Sequence, residues 1–320
     1  MNNVKQIGLA AINFHSTHRS FPLGMEMHRE LVLTRATFFV RLLPYLEENA
    51  LADRWVYPDP NWAGGRPENA FENQDVNVTA DASTSRAATI MPALVCPSDR
   101  FEQNPFELTG TPGAFGGSTS HGGFPGWYSG TSYAGNYGEG SFYVQNSQFA
   151  IRPNGALFVS GPSPSLAAGG TPGSGLHALA ENHQNVSPAS ASRITDGTSQ
   201  TLMIGEKYHE DLDFDMWTAN NSGFKMHQVS TWAWSGGMKG AGTIFCSSAV
   251  EMNQGVKYWS ATPSFLGQDS RFNSWGSGHV GGVNFVFCDG SATFLTDGIS
   301  QVTLAHLSTR AGDDIVSGYE

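Results

Sequence analysis

The thirteen-residue segment Gly278-His-Val-Gly-Gly-Val-Asn-Phe-Val-Phe-Cys-Asp-Gly290 limits what this chain can fold into more than any other stretch. Val283, Phe285 and Phe287 alternate with Asn284, Val286 and Cys288, and a period of two sends the two sets to opposite faces of a strand. Asp289-Gly290 follows as a structural turn, and Phe294 and Leu295 fall on the returning strand. A two-residue type I′ hairpin is expected, because that turn needs positive φ at both central positions. Its register would pair 288 with 291, 286 with 293, 284 with 295 and 282 with 297. At about 3.3 Å per residue the two ends of such a strand lie on the order of 20 Å apart. His279 therefore cannot touch Asp289, and is expected near Asp297 instead.

The rest of the chain suits a loop-rich β protein. Of 320 residues, 38 are glycine and 16 proline, and only 14% are charged; helical bundles and disordered chains have different compositions. Twenty phenylalanines, nine tyrosines and eight tryptophans can fill a large core. The formal net charge of −11 comes without any basic cluster, which argues against nucleic-acid binding. Cys96, Cys246 and Cys288 match no zinc-finger or thioredoxin spacing. One disulfide with one free thiol, or three buried thiols, are both open, and so is a Cys96–Cys246 bridge. No apolar run reaches the roughly 18 residues of a membrane span, so the chain as given is expected to be soluble.

Val4, Ile7, Ala11 and Phe14 recur at helical spacing, and the start reads as the tail of a longer helix, closed by Ser20-Phe-Pro-Leu-Gly24. A second helical stretch is expected over about 36–55, kinked or begun at Pro44. Residues 58–85 read as a polar excursion. Short strands are expected at 90–95, 132–137, 155–158, 201–206 and 231–235, with glycine-rich loops at about 109–130 and 160–175. Neither loop matches a phosphate-binding pattern.

Asn2-Asn-Val-Lys-Gln-Ile-Gly-Leu9, Phe21-Pro-Leu-Gly24, Leu43-Pro-Tyr-Leu-Glu47, Cys96-Pro-Ser-Asp99, Ser132-Tyr-Ala-Gly-Asn136 and Ile194-Thr-Asp-Gly-Thr-Ser199 occur in that order. With Gly205-Glu206 and the His279/Asp289-Gly290 segment, they make the chain resemble the planctomycete DUF1559, or H-x9-DG, family over its whole length. The resemblance implies an α+β, pilin-like fold: an N-terminal helix packed on an antiparallel β-sheet, with a large β- and loop-rich elaboration. It implies one domain over 1–320, with a helical part at 1–57 and a β-rich part at 86–320. It also implies a prepilin-type apolar helix ahead of Asn2 that anchors the protein or packs into a filament. The family brings no biochemical activity with it.

The residues that could carry chemistry gather around His279. Glu206 ends the 201–206 strand and His209 follows three residues later, so the two converge if a helical turn forms there. Glu206, His209 and His279 would then make a two-histidine, one-carboxylate site for zinc, iron or manganese. Asp211, Asp213 and Asp215 alternate just beyond and could serve calcium, although the glycine and terminal glutamate of an EF-hand are absent. His15 and His18 form a further spaced pair at a helix end. The bland alternative is a hydrogen-bonded His279 at a buried corner beside a solvated acidic loop. There is no GxSxG elbow, and no local cue marks Cys96 as a thiolate.

Two classes of function result. The first is a non-catalytic, pseudopilin-like protein of the cell surface or a filament, with other pilin-like subunits or surface components as partners. It would sit in the cell envelope and touch the membrane only through the upstream helix. The second is a metal-dependent hydrolase of phosphoesters or activated esters, in which a bound cation activates water.

Overall fold

A computed structural model of the chain describes residues 1–26, 37–56, 82–108, 126–140, 152–160, 187–219, 225–233, 244–255 and 270–313. Helix α1 (Asn2–His18) opens the chain. Two short helices follow, α2 (Phe38–Leu42) and α3 (Asn49–Ala52), then α4 (Leu212–Ala219) and α5 (Gln301–Ser308). The strands are β1 (Met25–Glu26), β2 (Phe106–Leu108), β3 (Gly126–Tyr128), β4 (Tyr133–Gly138), β5 (Val159–Ser160), β6 (Leu202–Glu206), β7 (Phe245–Ser247), β8 (Gly282–Phe287) and β9 (Ala292–Thr296). Five of them form the main sheet in the order β7-β4-β6-β8-β9, antiparallel except for the parallel β4–β7 pair. Two small two-stranded sheets, β1-β5 and β2-β3, lie outside it. The architecture is α+β.

Strands β4, β6 and β8 are buried along their full length, so both faces of the sheet are covered. The alternation read in β8 decides which residues meet which cover. Val283, Phe285 and Phe287 join Leu202, Trp275 and Leu295 in a cluster completed by Leu304 and Leu307 of α5. Val286 and Cys288 face the other way, into the larger core that holds Val4, Ile7 and Ala11 of α1. Helix α1 forms because its apolar positions fall on one stripe, and it ends where Arg19 turns left-handed at φ 59°. Gly8 lets the helix lie close on the sheet: a Cβ there would sit 2.4 Å from Cγ2 of Val286.

The hairpin differs from its expected geometry by one residue. The pairs are Gly282–Thr296, Val283–Leu295, Asn284–Phe294, Phe285–Thr293 and Val286–Ala292. The Phe287 amide donates to Ser291 O, and the Gly290 amide donates to Phe287 O. The loop thus has three residues, 288–290, with positive φ at Gly290 only. That is the type I turn with a left-handed bulge glycine, which needs one positive φ rather than two. Asp289 is a turn residue, its Oδ1 accepting from the amide and hydroxyl of Ser291. At the other end the Asp297 amide donates to Gly281 O, two residues from His279.

Other expectations are redrawn. The 36–55 helix is broken into α2, a 3-10 turn at Leu43–Tyr45 that contains Pro44, and α3. The 90–95 stretch is a 3-10 turn at Pro92–Leu94, and 155–158 forms bends ahead of β5. Of the expected 231–235 strand, Thr231 forms an isolated bridge to Gly130, and 234–235 lie outside the described residues. Of the expected excursion at 58–85, residues 58–81 lie outside the described residues, as do most of the two glycine-rich loops, and Ala82–Thr84 form a 3-10 turn. All three cysteines are buried free thiols.

Beyond Glu206 the fully buried Lys207 donates to Phe272 O at 2.6 Å and to Phe245 O at 3.4 Å. Burial pulls its ammonium down to about 8 from an ordinary 10.5. Between those values the unfolded chain carries the extra proton, so the stability contributed by this group rises with pH. Buried thiols such as Cys246 act oppositely once pH passes their ordinary 9.0, which leaves pH 8–9 as the window for Lys207. Thermal melts across that window should show the wild type gaining on Lys207→Met as pH rises; a constant difference would contradict this. Gly8→Val should lower stability by about 1–3 kcal/mol in chemical denaturation, because the added methyls must displace Val286.

Candidate functional site

Three segments far apart in sequence meet at the end of the sheet. Strand β6 ends in Glu206, whose carboxylate is 1% exposed. Its Oε2 accepts the amide of Asn284 at 2.7 Å and the Asn284 Nδ2 at 2.9 Å. The neighbouring strand therefore fixes one oxygen and leaves Oε1 facing out of the network. His279, on the turn leading into β8, brings Nε2 to 3.2 Å from Oε1. Cys96 Sγ lies 3.3 Å from Oε1 and 3.5 Å from Nε2. Ser98 Oγ lies 3.0 Å from Sγ and 3.1 Å from Nε2.

The Cys96 turn is held from several sides. The Cys96 amide donates to Ser132 Oγ. Asn3, in the first turn of α1, donates through Nδ2 to the carbonyls of Pro92 and Val95. Gly278 passes so close to the turn that a Cβ would meet Ser98 O at 2.0 Å. Tyr133 packs beside the cluster, its phenol pushed well up by burial and further by the neighbouring Cys96 and Glu206 side chains. Burial also pushes the Cys96 thiol up, against the opposing hydrogen bond from Ser98. Cys96 is then a neutral S–H donor to Glu206 at neutral pH. His279 is about one-third exposed while Glu206 is sealed, so the cluster has one open side.

Of the expected set, Glu206 and His279 come together and His209 does not. Residues 207–211 form no helical turn, so the i,i+3 convergence assumed for Glu206 and His209 fails. His209 instead sets Nδ1 2.7 Å from Asp99 Oδ2, donates its amide to Asp99 Oδ1 at 2.9 Å, and stacks on Phe101. Burial pulls this imidazole down, partly offset by Asp99. Among the described residues its Nε2 has no hydrogen-bond partner. The place expected for His209 is taken by Cys96, and among the described residues Cys96, Glu206 and His279 are a group that could hold a metal ion. Cys96-Pro-Ser-Asp99 reads as a turn and as one of the motifs of the family resemblance, and nothing local marks its thiol; Ser98, Asn284 and Asn3 also lie in segments singled out in the sequence, with no role assigned to them there.

The acidic run is also spent elsewhere. Asp211 accepts the Phe214 amide as the cap of α4 and pairs with Arg271 at 2.9 Å. Asp215 accepts the Met226 amide at 2.6 Å. His15 accepts from the Ala191 amide, and His18 stacks on Phe14. A cleft of about 640 Å³, with polar and apolar lining from Tyr208, Glu210, Leu212, Asn253, Arg271 and Ser277, runs beside the segment that carries His279.

The fold and site define an α+β protein with an N-terminal helix and a Cys-Glu-His cluster at the end of its sheet. The family described as "Protein of unknown function (DUF1559)" matches residues 1–301, and the chain belongs to that family. No curated protein and no solved structure matches it.

Removing the carboxylate that serves His209 strands a buried imidazole N–H and a backbone amide. Asp99→Ala should cost on the order of 3 kcal/mol in denaturant unfolding, and His209→Phe combined with Asp99→Ala should recover part of it. A loss no larger than that of an exposed substitution would refute the pairing.

Proposed function

We propose that this protein is a non-catalytic, pseudopilin-like component of the cell envelope, whose domain contacts other pilin-like subunits or surface components. The observation that carries the reading is the disposition of α1. Val4, Ile7, Ala10 and Ala11 are 0–1% exposed against the sheet, while Leu9 stays 48% exposed on the outer side. The helix has no side-chain cap at Met1 and no acidic residue in its first turn. A long N-terminal helix with one face on an antiparallel sheet and an apolar residue left on the other is how pilin-like subunits present a packing surface. Family membership, and the motifs that carry the resemblance in the sequence, support the same reading. No described helix is long and apolar enough to cross a membrane.

The test is Leu9→Cys in the protein expressed in its native cells, with a bifunctional thiol cross-linker and fractionation. Adducts between copies or with other envelope subunits, in the envelope fraction, are the expected result. A soluble monomer without adducts would overturn it. Leu9→Asp should abolish the adducts formed by lysine cross-linking yet leave the melting temperature within about 3 °C.

A second reading is favoured by one observation, the open side that the Cys96–Glu206–His279 cluster keeps at His279. Three protein ligands with a fourth position left to solvent are the arrangement of catalytic zinc sites. Under this reading the protein is a metal-dependent hydrolase of phosphoesters or activated esters. Chelator-sensitive hydrolysis of p-nitrophenyl esters or phosphates, lost in His279→Gln, is expected; no turnover in metal-supplemented protein removes the reading.

A further inference from the structure

The spacing of the three donor atoms says more than that a cation would be tolerated. We propose that Cys96 Sγ, Glu206 Oε1 and His279 Nε2 form a specific site for one zinc-type divalent cation that fastens the Cys96 turn to the sheet. The site depends neither on assembly nor on turnover. The edges of the triangle are 3.5 Å for Sγ–Nε2, 3.3 Å for Sγ–Oε1 and 3.2 Å for Nε2–Oε1. A tetrahedral zinc with Zn–S of about 2.3 Å and Zn–N and Zn–O of about 2.0–2.1 Å separates its ligands by about 3.5 Å for pairs with sulfur and about 3.3 Å for N···O. The donors already stand at three corners of such a tetrahedron, within about 0.2 Å.

Donor chemistry then selects the ion. A thiolate with an imidazole favours zinc, whereas calcium and magnesium demand oxygen and manganese favours it. A thiolate and a carboxylate together also match the two charges of the cation, so the filled site is close to neutral where Glu206 and Cys96 are sealed from water. The support around the ligands fits as well. Metal-bound carboxylates are oriented by hydrogen bonds to the free oxygen, and Asn284 supplies two to Oε2 of Glu206. Ser98 Oγ stands beside both Sγ and Nε2, where it donates to the thiolate or completes the fourth position. Entry is from the exposed side of His279.

The experiment is a Co²⁺ titration of the purified chain after chelation. One equivalent should bind with the visible absorption of tetrahedral cobalt and a thiolate-to-cobalt charge-transfer band, and Zn²⁺ should displace it. Cys96→Ser should abolish the charge-transfer band. Glu206→Gln and His279→Gln should each weaken Zn²⁺ binding at least tenfold, and His18→Gln should change nothing. Should those variants fail to fold, the wild type still decides. Zn²⁺ should raise its melting temperature and block modification of one thiol, and Ca²⁺ or Mg²⁺ at the same concentration should do neither. Octahedral cobalt without charge transfer, substoichiometric uptake, or identical melting with and without Zn²⁺ would each overturn the site. Metal bound in full without ester hydrolysis would leave the site standing while the hydrolase reading fell.

Discussion

The Glu206 carboxylate is the constraint around which the end of the sheet is organised. A carboxyl group taken out of water must have its loss of hydration made up by donors, and Glu206 finds them at three places on two separate segments. Asn284 approaches from the adjacent strand, His279 from the turn before it, and Cys96 from a turn 110 residues earlier. Those partners dictate where β8 begins, how the 276–281 turn lies, and where the Cys96 turn docks. Asn3 then ties the first turn of α1 to that same docked turn. Helix, turn and sheet share one polar anchor, with apolar packing between α1 and β8 covering the rest.

How much of this was legible in the sequence follows from the range of each interaction. Period-two alternation is local, so β8 could be read directly, and both faces proved buried as the apolar residues on each side require. The turn could be placed but its type could not. Asp-Gly suits a two-residue loop and equally the last two positions of a three-residue loop, and this ambiguity shifted the register by one. Strand ends gave the meeting of Glu206 with His279. The inclusion of His209 rested on a helical turn that the chain does not make, because Asp99 captures both its amide and its ring. Cys96 stood out within a motif, but its place beside Glu206 and His279 could not be read, since that lies only in tertiary proximity. Pro44 marked a break in the second helix, and the break is there.

The Cys96-Pro-Ser-Asp99 tetrapeptide shows how little sequence a folded site needs. Its first and third residues serve the Glu206–His279 cluster, and its fourth holds His209. Two polar systems that flank β6 and the residues after it are thereby joined through a single turn. A substitution that distorts the turn is felt in both, and for that reason additive effects are not expected among its members.

The topology also sets when the cluster comes into being. Only β8 and β9 are joined by a local hairpin; β6 reaches β4 and β8 across long stretches of chain, and β7 lies parallel to β4. Non-local pairings of this kind close late, after the entropy of long loops has been lost. Cys96, Glu206 and His279 come from the first, second and last thirds of the chain, so the cluster has no partial form. A nascent or shortened chain that ends before His279 offers at most two of its three donors, and the triangle is complete only once the C-terminal hairpin has docked. Its integrity is a mark of finished folding, readable at one point for the whole sheet.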